Sequence, residues 1–201
     1  MKRALVVIDA QQEFSSGRVP VEYPSLDNCV ENLRHALETA HLHSLDLVAS
    51  CRVHDPESML FAAESFGSKH MPLAGLVNPD LLVEREHPSA FHTTNLAEWL
   101  RERDVCTVAL AGFLAQDACL ATATDAHHLG FNVELIGDAT GASSLGNLGG
   151  ALTARQVHEA TTTILDATFA AVTSSDVWRI AVAQSTPLKP LDFSPARSLR
   201  G

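Results

Sequence analysis

Three short stretches carry side chains able to do chemistry. In IDAQQEF, Asp9 follows the apolar run of residues 4–8. A carboxylate at the end of a buried strand is partly desolvated, which suits a proton donor or acceptor. The plain alternative is a turn-forming Asp. SAFHTTNL, residues 89–96, follows the charged lead-in Glu84-Arg85-Glu86-His87, and composition alone reads it as a solvated loop. AGFLAQDACLATATDA, residues 111–126, joins a glycine turn to a helix start with one thiol, Cys119. Backbone N–H groups at a helix N-terminus can bind a developing oxyanion, and the same dipole lowers a thiol's pKa. A small cysteine among alanines and threonines is equally ordinary packing.

The elements that must position these stretches follow from periodicity. Residues 4–8 and 45–50 read as buried strands, as do 105–111 and 131–136, and 170–173 is a shorter fifth strand. Helices are expected over 25–43 with Ser25 as cap, over 95–103, over 117–129 stopped by Gly130, and over 153–169. Ser175 is expected to cap a last helix, and 54–88 reads as irregular with one short helix. Strands alternating with helices imply a three-layer α/β/α domain around a central, mostly parallel sheet. The domain is expected over 1–185, with an irregular tail over 186–201 that holds Pro187, Pro190 and Pro195. Ligands in such sheets bind beyond the carboxyl ends of the strands. That rule brings Asp9, the segment 52–54 and the segment 112–119 to one rim.

Composition narrows the partners. The chain has 201 residues with 46% hydrophobic and 19% charged, which fits one ordinary globular core. A net charge of -10 lacks the basic footprint that a nucleic acid requires. No stretch approaches the ~20 apolar residues of a membrane span, and the apolar N-terminal run is too short for a signal peptide. The four cysteines show neither CxxC spacing nor disulfide density, so reduced thiols in a cytoplasmic protein are expected.

Taken in order, IDAQQEF, SAFHTTNL, AGFLAQDACLATATDAHHLGF and FAAVTSSDV resemble the isochorismatase-like hydrolases, a group that includes nicotinamidases, N-carbamoylsarcosine amidases and isochorismatase itself. The resemblance covers nearly the whole chain. It implies the same α/β/α architecture, a small-molecule substrate, a homo-oligomer (dimer or tetramer), and a site of Asp, Lys and Cys. Asp9 matches the family aspartate. Where the family lysine is expected, four residues before the Ser of S-A-F, this chain has Arg85. The family cysteine is expected six residues after the strand-end glycine and eight before the alanine of D-A-x-x-x-G. Counts from Gly112 and from Ala126 both reach Ala118, so Cys119 stands one residue late. One residue is about a 100° rotation on a helix. Isochorismatase itself resembles this form, with a small residue at the nucleophile position, no thioester intermediate and the aspartate as general acid.

Arginine keeps its proton, so Arg85 is expected to hold Asp9 ionised, as a good base and a poor acid. Arg52 and His54 lie where nicotinamidases carry a D-x-H metal site. The arginine there argues against a metal, and no cofactor is expected. Gln11, Phe14, Arg52, His54, Leu114 and Ala115 are the candidate substrate contacts. The expected function is hydrolysis of a small anionic or amide-bearing metabolite without a covalent cysteine. Two alternatives stand beside it: a cysteine-dependent amidase using Cys119 through a local shift, and a family member that binds a ligand or partner without catalysis.

Overall fold

The computed structural model describes residues 1–76 and 78–191. Six strands form one parallel sheet: β1 (Arg3–Ile8), β2 (Asp46–Arg52), β3 (Leu81–Arg85), β4 (Thr107–Phe113), β5 (Asn132–Gly141) and β8 (Ala171–Thr173), in the order β3-β2-β1-β4-β5-β8. A separate antiparallel ribbon joins β6 (Leu145–Asn147) to β7 (Gly150–Leu152). The helices are α1 (Leu26–Leu42), α2 (Leu96–Glu102), α3 (Leu120–His128), α4 (Ala154–Thr168) and α5 (Ser175–Ala183).

Alternation along β1 builds both layers at once. Leu5 and Val7 face a core shared with Leu33 and Leu37 of α1 and Trp178 of α5. Ala4, Val6 and Ile8 face the other, shared with Leu96 and Leu100 of α2, Ala123 of α3 and Leu165 of α4. A strand buried on both faces reads as a continuous apolar run, which is what made β1 and β4 recognisable. The architecture is therefore the expected three-layer α/β/α domain with a parallel sheet. Among the described residues no helix is long and apolar enough to cross a membrane.

Four local expectations change. β3 lies in the segment read as irregular. It pairs only with β2, and its inward residues include the charged Arg85, so the apolar signal was short. β5 runs five residues past residue 136 because a register shift at residues 110–112 lets it follow β4 to Phe113. The glycine-rich stretch after β5 carries the β6–β7 ribbon. The cap of α5 is Ser174, whose side chain accepts from the Val177 N–H, while the Ser175 hydroxyl donates to Asp138 at 3.0 Å. Residues 186–191 of the expected tail carry no helix or strand, and 192–201 lie outside the described residues.

Candidate active site

The carboxyl ends of β1, β2, β3 and β4 converge, and the connections diverge to either side of β1. This is where an open parallel sheet offers a crevice. Asp9 leaves β1 with φ of 46° and is wholly buried. Asp tolerates this left-handed conformation better than most residues. Its N–H donates to the Ser50 carbonyl at 2.8 Å, which fixes its direction. Arg52 and Arg85 end neighbouring strands and are register partners, so both guanidiniums reach the same carboxylate.

Arg85 is fully engaged. Its Nη2 donates to Asp9 Oδ1 at 2.7 Å, its Nε to Ser50 Oγ at 2.9 Å and its Nη1 to the His87 carbonyl at 2.6 Å. Arg52 Nη2 lies 3.4 Å from Asp9 Oδ2 and 2.8 Å from Asp117 Oδ2, with the Phe61 ring 5.1 Å from its guanidinium carbon. Asp9 Oδ2 has no hydrogen-bond partner among the described residues. Burial pushes the Asp9 carboxyl above its ordinary 3.8, although Arg85 and then Arg52 pull it back. Arg85 favours the ionised form, as expected, but burial acts against it and the net direction is upward. Loss of water outweighs the two cations, and Asp9 can hold a proton as well as accept one.

Gln11 accepts from the Arg52 N–H through Oε1 and donates from Nε2 to the Arg52 and Ser68 carbonyls, all at 2.8 Å. Its side chain therefore fastens the end of β2. Phe14 is buried against Phe61 and Phe113. His54 bonds the Glu86 carbonyl at 3.0 Å and meets Phe61 edge-on. Leu114 and Ala115 are buried where β4 passes into the next helix. The S-A-F stretch is pinned to that helix: Thr122 Oγ1 accepts from the Ala90 N–H at 3.0 Å. This contact explains why the two motifs belong together.

The helix entrance is a π turn, Ala115–Cys119, preceding α3. The Asp117 and Cys119 N–H groups both donate to the Leu114 carbonyl at 3.2 Å, so neither is left for an oxyanion. Ala118 and Cys119 are both wholly buried within the core on that face of the sheet. The Cys119 thiol has no hydrogen-bond partner among the described residues. Burial first, then the charges of Asp9 and Asp117, push its pKa far up. Gly112, just upstream, has φ of 123°, and a Cβ there would lie 1.9 Å from the Ile8 carbonyl oxygen. Only glycine lets β4 pass β1 so closely at this rim.

Sequence reasoning had not singled out Ser50, Phe61 or Asp117. Ser50 holds Arg85, and Phe61 and Asp117 flank Arg52. Asp117 carried one usable signal, a carboxylate one residue before the position to which both motif counts lead. The other two depend on contacts between distant segments.

A doubly wound parallel sheet with a buried, arginine-clamped carboxylate at its switch point defines an α/β/α domain with a ligand site at the carboxyl ends of its strands. The isochorismatase domain model matches residues 3–177, and the chain belongs to the isochorismatase family. It is similar to a protein of Burkholderia xenovorans LB400 assigned as an isochorismatase, at 35% identity and a TM-score of 0.91, covering 94% of this chain and 90% of that one. It is also similar to the N-carbamoylsarcosine amidase of Thermoplasma acidophilum, at 26% identity and a TM-score of 0.71, covering 88% and 98%. The isochorismatase family protein YrdC of Bacillus subtilis (strain 168) is 26% identical over 144 residues, 70% of this chain and 74% of its own length.

Proposed function

We propose that the chain hydrolyses a small anionic or amide-bearing metabolite with Asp9 as the proton-transferring group and without a covalent cysteine intermediate. The observation that carries this reading is the division of labour on one carboxylate. Arg85 holds Oδ1 at 2.7 Å, while the buried Oδ2 has no hydrogen bond among the described residues and is the oxygen able to carry the proton. In the ionised form Asp9 takes a proton from water attacking the substrate. Protonated, it delivers one to the leaving group, and Arg85 keeps the carboxyl aimed in both states. Ala118 occupies the family's nucleophile position in this reading, and the N–H groups around Leu114 to Ala118, apart from that of Asp117, bind developing negative charge. Arg52 and His54 contact the substrate. Gln11 and Phe14 hold the pocket wall. The similarity to an amidase supports including amides among the substrates.

A second reading has one specific observation in its favour. A π turn takes up one more residue than an α turn, which is the local shift that would bring Cys119 toward the position counted to Ala118. The buried, unbonded thiol with its raised pKa speaks against it, because the thiolate is the nucleophile. Self-association into a dimer or tetramer and a cytoplasmic location belong to the same proposal, and four unpaired thiols support a reducing setting. The test is turnover of isochorismate and an amide panel by wild type and Asp9→Asn. A loss of roughly 10²–10⁴-fold in kcat with a preserved fold is expected. Turnover by neither protein, with ligand still bound, would leave a binding protein instead.

A further inference from the structure

The two arginines at the rim are not equivalent. All three nitrogens of Arg85 donate hydrogen bonds to protein oxygens. Arg52 has Nε and Nη2 both buried and both without a hydrogen bond among the described residues, although its side chain is only 10% exposed. Nε and Nη2 are the two donors on one edge of the guanidinium plane, the edge that receives a carboxylate bidentately. The Asp117 carboxylate lies 2.8 Å from Nη2, yet its approach is off-line, and Asp9 Oδ2 at 3.4 Å is no better. Arg52 is thus paired in charge while its fork is unfilled.

We propose that Arg52 is the carboxylate-recognition residue of this site and that Asp117 is its resident counter-ion, displaced when a substrate carboxylate takes the Nε–Nη2 edge. The inference rests on the rim being a substrate site, as proposed above, and narrows the substrate to a molecule bearing one carboxylate. Three features carry it. Gln11 holds the Arg52 backbone on both sides, so the guanidinium is stationed before ligand arrives. Phe61 packs against one face of the guanidinium and leaves its edge to select the ligand. The Asp117 side chain is 36% exposed and can turn into water, whereas Asp9 is wholly enclosed. With Asp9 ionised, the four groups Asp9, Asp117, Arg52 and Arg85 sum to zero charge. A monocarboxylate that replaces Asp117 on Arg52 keeps the enclosed part of the site balanced, while a neutral amide leaves Asp117 in place and gains nothing from the fork.

Benzoate and benzamide are an isosteric acid and amide that separate charge recognition from shape. Titration calorimetry on the full chain would compare wild type with Asp117→Asn, Arg52→Gln and Arg52→Lys. Removing the competing carboxylate is expected to tighten benzoate about tenfold in Asp117→Asn. Arg52→Gln is expected to weaken it at least about tenfold, and Arg52→Lys, which keeps the charge and loses the fork, by a similar factor. Benzamide should change by less than about threefold throughout. Urea melts confirm that each variant is folded, and Arg52→Lys decides the matter if Arg52→Gln is not. Unchanged or weaker benzoate binding in Asp117→Asn overturns the proposal. So does equal tightening of benzamide, full benzoate affinity in a folded Arg52 variant, or no benzoate binding by wild type and Asp117→Asn alike. The readout is binding, so it can fail while the Asp9 turnover test succeeds, and the reverse.

Discussion

At the scale of single residues, the carboxylate at the end of β1 carries opposing influences that types alone do not resolve. Asp9 and Arg85 were recognisable as partners from their motifs, and Arg85 does act to ionise Asp9 as expected, but the opposing weight of burial was not visible. A cation beside a carboxylate favours ionisation, yet complete burial costs the ionised form more. The consequence is a defined pH dependence. The folded carboxyl titrates above its ordinary 3.8, so the native state binds this proton more tightly than the unfolded chain. The stabilisation from Asp9 is fully present below the unfolded pKa and is lost as pH rises through the folded one. Urea melts across that range are expected to show wild type losing stability relative to Asp9→Asn as pH increases. A gap that moves the other way would mean that the arginines dominate. Asp117, Ser50 and Phe61 were invisible as partners because their roles come from neighbours across the sheet, which spacing along the chain does not encode.

At the scale of elements, the strands with two apolar faces were legible, and the edge strand was not. β1 and β4 are buried throughout, whereas β3 alternates and turns a charge inward. The same geometry that hid β3 delivers Arg85 to Asp9. The helix entrance was placed correctly to within a turn, but its π form left no signal in the spacing of residues 115–119. Gly112 sets how β4 ends. Gly112→Ala forces a Cβ against the Ile8 carbonyl at a strained φ and is expected to cost about 3 kcal/mol or more, read from urea denaturation. A melt within about 0.5 kcal/mol of wild type would show that β4 and β1 can separate without loss.

At the scale of the whole molecule, the sheet has a candidate-site end and a locked end. At the locked end the buried Arg3–Glu134 pair is completed by the Trp178 indole N–H at 3.0 Å and the Thr186 carbonyl. Breaking such a pair leaves a buried charge uncompensated, so it holds β1, β5 and α5 in one register. The other end keeps its charged groups enclosed but incompletely bonded: Asp9 Oδ2 and the Arg52 edge are both without hydrogen bonds among the described residues. Motif order made the architecture and the position of this end legible, because alternating strands and helices allow few arrangements. Which side chain does the chemistry was less legible, since Ala118 and Cys119 differ by one position and both lie within the π turn that follows the strand.

The central claim is that hydrolysis runs through Asp9 and not through a thiol. The most direct measurement is turnover by Cys119→Ala on the substrate that wild type hydrolyses fastest in the isochorismate and amide panel. A kcat within about threefold of wild type is expected, since the thiol is wholly buried and burial pushes its pKa up, away from the reactive thiolate. A fall of 10³-fold or more in a folded variant, the scale of losing a nucleophile, would contradict it.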